Sequence, residues 1–225
     1  MVTTELETII REHDLTDEDL KEFEGLNSTG MDSETTGLKP YNCDLHLVQL
    51  ATDKSIFVIK APNKDSKNLI KVLMKEDLVK IFHYAIFDLG FLIQHILGPN
   101  GINYVPNIYC TKMAAKLLEP RGYYGLGPTV KKYLGVELDK NQIAEAKQSD
   151  GTYYWLNLTD KQLEYAANDV RYLRPLAVNQ THKMKEKKDL NGRSLVELAQ
   201  GLFTGISGLA TIQAYGVRDD IYRHR

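Results

Sequence analysis

The chain has 225 residues, 43% of them hydrophobic and 26% charged. That suits one large globular domain with enough apolar material for a core that needs no disulfide or zinc staple. The net charge of −2 gives no overall hint of a polyanionic partner, but its distribution does. Residues 1–38 hold 11 acids against two bases, which leaves 19 acids against 26 bases, a net +7, for the remainder. A basic body behind an acidic start is compatible with nucleic acid. Cys43 and Cys110 have no partner at CxxC spacing, so neither a disulfide framework nor a zinc site is indicated. They fit a reducing compartment, and with no basic segment leading into an apolar one at the start, the expected location is the cytoplasm. No apolar run approaches the roughly 18 residues of a membrane span, so no membrane partner is expected.

In chain order, residues 3–11 read as a short helix, and Thr16-Asp-Glu-Asp19 as the start of another. Residues 25–31 lead into Asp32-Ser-Glu34 and then Thr35-Thr-Gly37, the pattern of a strand ending in a turn. Side chains of a strand alternate faces, so Asp32 and Glu34 point the same way. Two such carboxylates repel unless a cation lies between them or solvent screens them. Residues 44–51 and 55–60 are the next strand candidates, joined by a hairpin turn at 51–54. Residues 66–75 carry Leu69, Ile70, Leu73 and Met74 at helical spacing, and 79–82 is a short apolar run suited to a buried strand. From Ala85 the spacing of Asp88, Phe91, Leu92 and His95 is helical, which puts Asp88 in a first turn favoured by the helix dipole.

Residues 107–118 read as a helix stopped by Pro120-Arg-Gly122. Tyr123-Tyr-Gly-Leu-Gly127 lacks the spacing of a phosphate loop and reads as a turn before a helix over 128–133. The stretch 140–149 is polar, and Tyr153, Tyr154 and Trp155 lie in a loop where they anchor the chain or stack on bases. Thr159 is a good N-cap for a helix with Ala166, Ala167, Val170 and Leu173 at helical spacing. That helix sets Tyr165 and Asp169 one turn apart on a shared face. The lysines of 182–188 read as a solvated face, 194–202 as a helix, and 201–216 as a packed tail.

Three of these segments, taken together, resemble a known family. Met31-Asp-Ser-Glu-Thr-Thr-Gly-Leu38, Ile81-Phe-His-Tyr-Ala-Ile-Phe-Asp-Leu89 and Tyr165-Ala-Ala-Asn-Asp169 look, in order and spacing, like the three exonuclease motifs of the ribonuclease D family. That family belongs to the DEDDy 3′–5′ exonucleases. Gly125-Leu-Gly-Pro, Leu138-Asp-Lys-Asn-Gln142, Gln148-Ser-Asp150 and the tail 214–224 are similar to further segments of short, stand-alone members. The chain departs from the family pattern at Tyr84, where Asn is usual, and over 140–158, which is longer and lacks the common Ser-Asp-Trp run. The resemblance is to the short form, so a stand-alone member without helicase-and-RNase-D C-terminal domains is expected.

The resemblance implies a ribonuclease H-like α/β fold, a mixed central sheet flanked by helices, in one exonuclease domain over 1–225. Its motif core would span about 20–175, with a helical tail over 176–225. It implies a 3′–5′ exoribonuclease that releases nucleoside 5′-monophosphates from single-stranded RNA 3′ ends, in RNA processing or turnover. Asp32, Glu34, Asp88 and Asp169 would hold two divalent cations, Mg²⁺ or Mn²⁺, and Tyr165 would orient the attacking water. A phenol with a pKa near 10 is a poor base at neutral pH, which favours orientation over proton removal. His83, Thr35 and Leu38 would meet the substrate, His83 alternatively being a buried structural residue. Two other functions stay open: a DNA exonuclease of the same fold, since carboxylates do not distinguish sugars, and a nucleic-acid-binding module without catalysis.

Overall fold

A computed structural model describes residues 6–98, 105–138, 155 and 158–216. Six strands form one mixed sheet: β1 (Glu7–Glu12), β2 (Ser28–Thr35), β3 (Leu45–Ala51), β4 (Ser55–Lys60), β5 (Val79–Phe82) and β6 (Ile108–Cys110), in the order β1-β4-β3-β2-β5-β6. The pairs β2/β3 and β3/β4 are antiparallel, whereas β1/β4, β2/β5 and β5/β6 are parallel. The expected mixed sheet with helices on both faces is thus present.

Two elements differ from the sequence reading. The expected helix at 3–11 is instead β1, an edge strand paired to β4 from Glu7↔Ser55 to Glu12↔Lys60. Thr8-Ile9-Ile10 is a run of three β-branched residues, stiff at χ1 and suited to a pleated surface. The expected helix over 107–118 begins as β6, three residues paired to Lys80–Phe82, before α4 starts at Thr111. Three residues are too few for periodicity to register.

The helices are α1 (Asp17–Leu20), α2 (Lys67–Met74), α3 (Ala85–Leu92, continued by a π-helical turn over Ile93–Leu97), α4 (Thr111–Leu118), α5 (Leu126–Leu134), α6 (Asp160–Arg171), α7 (Leu173–Glu186), α8 (Leu195–Thr204) and α9 (Ile206–Ala214). Capping boxes fix the entries of α1 and α6: Thr16 with Asp19, and Thr159 with Gln162. Such a cap is worth about 1 kcal/mol. Asp19 also receives two hydrogen bonds from the Arg11 guanidinium at 2.7 and 2.8 Å, tying β1 to α1.

The sheet separates two apolar clusters. One gathers Met31, Val48, Leu50, Phe57 and Phe82 with α2, α3, α8 and α9. The other gathers Leu47, Ile56, Val58 and Ile81 with Trp155, Ala166, Val170 and Leu173. Alternation along β2 therefore sends Met31 and Ser33 toward α3, and Asp32 and Glu34 toward α6. The tail packs as expected, with Ala199, Phe203, Ile206, Ala210 and Ala214 buried. Leu195–Ala214 is nevertheless long and apolar enough to cross a bilayer by length and composition, contrary to the sequence reading, because Gly205 joins two helices end to end. The lysines of α7 are mostly exposed, in keeping with a solvated face. The polar stretch 140–149, Tyr153, Tyr154, the family-like segments at 139–142 and 148–150 and the tail beyond 216 lie outside the described residues.

Candidate active site

Parallel strands deliver their C-terminal ends, and the helices that follow, to one edge of a sheet. Here the ends of β2 and β5 carry the first two acidic segments. α6, on the far face, brings the third. Its approach depends on Gly30: a Cβ there would lie 2.7 Å from the Val170 carbonyl oxygen and 3.1 Å from Leu173 Cβ. The missing side chain lets α6 settle onto β2, so Asp169 comes down beside Asp32 and Glu34. One carboxylate oxygen from each of these three residues lies within 4.8 Å of the others. Glu34 and Asp169 are buried and Asp32 is partly so.

Tyr165, one turn before Asp169, is buried and hydrogen-bonded to that carboxylate. Burial, then the charges of Asp169, Glu34 and Asp32, push its phenol well above the ordinary tyrosine value. It stays a neutral donor. Trp155 stacks on it, with ring centroids 5.8 Å apart and planes 21° from parallel. The Trp155 amide donates to His46 Nδ1 at 3.3 Å, a ring that burial keeps toward its neutral form.

Asp88 stands apart from the three-carboxylate cluster. It is 2% exposed and accepts a 2.7 Å hydrogen bond from Ser33 Oγ, on the opposite face of β2 from Asp32 and Glu34. Complete burial drives its carboxyl well above the usual carboxylate range, opposed by the Ser33 hydroxyl and two backbone amides and reinforced by the charge of Asp169. Ser33 joins the site only through this contact with Asp88. Its only signal in the sequence was its place between two acids, on the face turned to α3.

The three residues expected at the substrate lie close by in different ways. Thr35 is buried and donates to the Gly37 carbonyl at 2.6 Å, holding the turn after the register shift at Glu34/Thr35. Leu38 is 76% exposed. With Phe87, Trp155 and Thr35 it lines a cleft of about 190 Å³ that opens beside Glu34. His83 meets protein groups at both ring nitrogens: Thr111 Oγ1 at 2.8 Å and the Tyr124 carbonyl at 2.8 Å. That ring ties the end of β5 to α4 and to the turn before α5.

Three hard oxygen donors this close repel one another unless a cation or protons intervene, and the donor set fits Mg²⁺ or Mn²⁺ rather than a thiophilic metal. A second observation supports the fit. Gln49 pairs with Asp32 across the antiparallel ladder, is 0% exposed, and has neither amide atom hydrogen-bonded among the described residues. Directly opposed residues have Cβ atoms about 5 Å apart on one face. The water shell of a cation beside Asp32 would satisfy that amide.

The sequence model of a 3′–5′ exonuclease family matches residues 7–186. The chain belongs to that family. Within this 3′–5′ exonuclease family, ribonuclease D of Desulfotalea psychrophila is 33% identical over 171 residues, covering 72% of this chain and 42% of the relative. The chain thus spans less than half the length of the ribonuclease D relative. Brucella melitensis NrnC is matched nearly end to end: 28% identity, 97% of this chain and 99% of that one, TM-score 0.79. The same protein bound to pGG matches at TM-score 0.77 with 28% identity over 98% and 100% of the two chains. Escherichia coli RNase D, 22% identical over 92% of this chain and 51% of its own, shares the fold at TM-score 0.65. The ribonuclease H-like fold expected from the motifs is the one observed.

Proposed function

We propose that this exonuclease-family chain hydrolyses RNA from the 3′ end, releasing nucleoside 5′-monophosphates. The observation that carries the reading is the meeting of Asp32, Glu34 and Asp169 within 4.8 Å, from β2 and α6, beside the Tyr165 phenol. In this reading Asp32, Glu34 and Asp169 would supply oxygen ligands to divalent cations, and Asp88, apart from that cluster, would act on them through water. NrnC in a form with bound Mg²⁺, 27% identical over 98% of this chain and 100% of that one at TM-score 0.78, supports the ion class. Two such ions, when bound, ease ionisation of water and offset charge on the departing 3′ oxygen.

The chain's own groups then divide the work. Tyr165 Oη, held protonated by burial and three carboxylates, orients the attacking water and does not remove its proton. The cleft edged by Leu38 and Phe87 receives the terminal base by stacking and apolar contact. Trp155 closes its inner wall and excludes water. The likeness to ribonuclease D, an enzyme named for its action on RNA, supports RNA over DNA. The near end-to-end match to NrnC bound to pGG supports short strands as substrates.

Matched RNA and DNA strands labelled at the 5′ end, from two to ten nucleotides, test this with Mg²⁺, with Mn²⁺ and with a chelator. We expect stepwise shortening of RNA from the 3′ end, fastest on the shortest strands and abolished by the chelator. Preferential loss of DNA would overturn the RNA assignment. No cleavage of either would overturn the enzyme.

A further inference from the structure

The segment 105–138 holds five bases and two acids, and both acids are already taken: Glu137 by Lys131 and Glu119 by Lys132. That leaves Lys112, Lys116 and Arg121, none of which has an ion-pair partner among the described residues. Lys112 and Lys116 stand one turn apart on α4, a like-charged pair that weakens a helix unless an anion lies between. Each ammonium sits over an aromatic ring instead of a carboxylate: Lys112 Nζ 4.0 Å from the Tyr84 ring centre, Lys116 Nζ 5.7 Å from that of Tyr124. Lys112 is half-buried, and desolvation together with the charge of Lys116 lowers its pKa.

Their supports are rigid. Tyr84 occupies the left-handed region at φ +82°, a conformation costing a non-glycine residue about 1 kcal/mol or more, so its ring is held there by its surroundings. Tyr124 is fixed through its carbonyl by His83 and through its hydroxyl, which donates to the Glu119 carbonyl at 2.7 Å. Beside it Tyr123 is 92% exposed, a free stacking face.

Position gives the cluster its meaning. β2, β5 and β6 are parallel neighbours in that order, with Gly30 level with Ile81 and Phe82 level with Cys110. Asp32 and Glu34, then Tyr84, then Lys112 therefore follow the ends of three adjacent strands along one edge of the sheet. Two strand spacings, roughly 10 Å, separate the carboxylates from the start of α4. We propose that Lys112 and Lys116, propped on Tyr84 and Tyr124, are a backbone-phosphate site for the part of a single strand lying upstream of its 3′-terminal linkage, with Tyr123 as a stacking platform. The inference rests on the exonuclease reading and adds to it a specificity element on α4.

The test compares the wild-type protein, Lys112→Gln/Lys116→Gln and, as a control, Lys131→Gln/Lys132→Gln, which removes two charges already paired. Each is measured twice: as cleavage of a 5′-labelled RNA ten-mer, and as binding of that RNA in an Asp32→Asn background that does not cleave. We expect the first pair to raise KM and Kd about tenfold or more with kcat within twofold. The salt slope of log Kd should fall by about 1.4, the value for two phosphate contacts on a single strand. The control pair should change neither, and Lys112→Arg/Lys116→Arg should restore both. Unchanged Kd and slope in the Lys112/Lys116 variant, with RNA still cleaved, would overturn the phosphate site alone. Weakened RNA binding in the Lys112/Lys116 variant, alongside a wild-type protein that cleaves no RNA, would overturn the exonuclease reading and uphold the site.

Discussion

Gly30 and Val170 approach so closely that a methyl group on the first would sit 2.7 Å from the carbonyl oxygen of the second. This contact sets the distance between β2 and α6, and with it the spacing of Asp32 from Asp169. Gly30→Ala should therefore separate the two elements. Overpacking of this kind costs about 1–3 kcal/mol. A shift of about 1 Å between catalytic groups costs about a hundredfold in rate. Thermal unfolding and RNA cleavage measured together check this; a variant with a lowered Tm and full activity would show that the contact supports the fold but not the site.

Much of this site was legible in the sequence because its parts are local. Asp32 and Glu34 share a face by strand alternation, and Tyr165 and Asp169 share one by helical repeat; both relations need only a few residues. What joins the two pairs is not local. Gly30 reads as one more small residue until Val170 is packed on it, and Ser33 reads as a spacer until Asp88 arrives from 55 positions away. The two misread elements, β1 and β6, are an edge strand and a three-residue strand, both defined by pairing with distant segments and not by their own periodicity. Gln49 gave no signal at all, since a glutamine in an apolar strand is remarkable only once both its amide atoms are found buried and unpartnered.

Removing a charge from the cluster should separate activity from stability. Asp169→Asn keeps the shape of the side chain, deletes one of three mutually repelling charges and retains a partner for the Tyr165 hydroxyl. Cleavage should fall by about a thousandfold or more, the scale expected when electrostatic stabilisation at a reacting centre is lost. Without divalent ions the variant should unfold at a higher temperature than the wild-type protein. Added Mg²⁺ or Mn²⁺ should raise Tm for the wild-type protein, since a ligand bound only by the native state stabilises it, and much less for the variant. Equal responses of both proteins to the ions would remove Asp169 from the ion site.

Lys80 predicts a pH dependence away from the site. Its side chain is 0% exposed, donates to the Lys75 carbonyl at 2.8 Å, and burial lowers its pKa from 10.5 to about 8. Below pH 8 the native state must bury the ammonium, and the full penalty is present. Between about pH 8 and 10.5 the unfolded chain holds a proton that the folded one has released, so this residue makes stability rise with pH across that window. Lys80→Met removes the penalty and should stabilise the protein by about 1–3 kcal/mol at pH 7, the range seen when buried charges are replaced by apolar groups. The advantage should shrink as pH climbs through the window. Urea unfolding of both proteins at pH 7 and at pH 10 measures it, and an advantage that persists at the higher pH would assign the gain to packing.

The stack of Trp155 on Tyr165 makes a prediction about coupling. Tyr165 can orient water only if its ring keeps one attitude, and two constraints impose it: the hydrogen bond to Asp169 and the indole face 5.8 Å away. Trp155 is itself held by the His46 acceptor on β3. Trp155→Phe keeps an aromatic contact with less area, so the ring of Tyr165 gains freedom while its hydroxyl survives. Cleavage should slow about tenfold, with KM changing less than kcat. Tyr165→Phe removes the hydroxyl, after which the attitude of the ring no longer matters to the water. The double variant should therefore be about as slow as Tyr165→Phe alone, a coupling that appears as non-additivity in the cycle. Strictly additive losses would show that Trp155 shapes the cleft wall independently of the phenol.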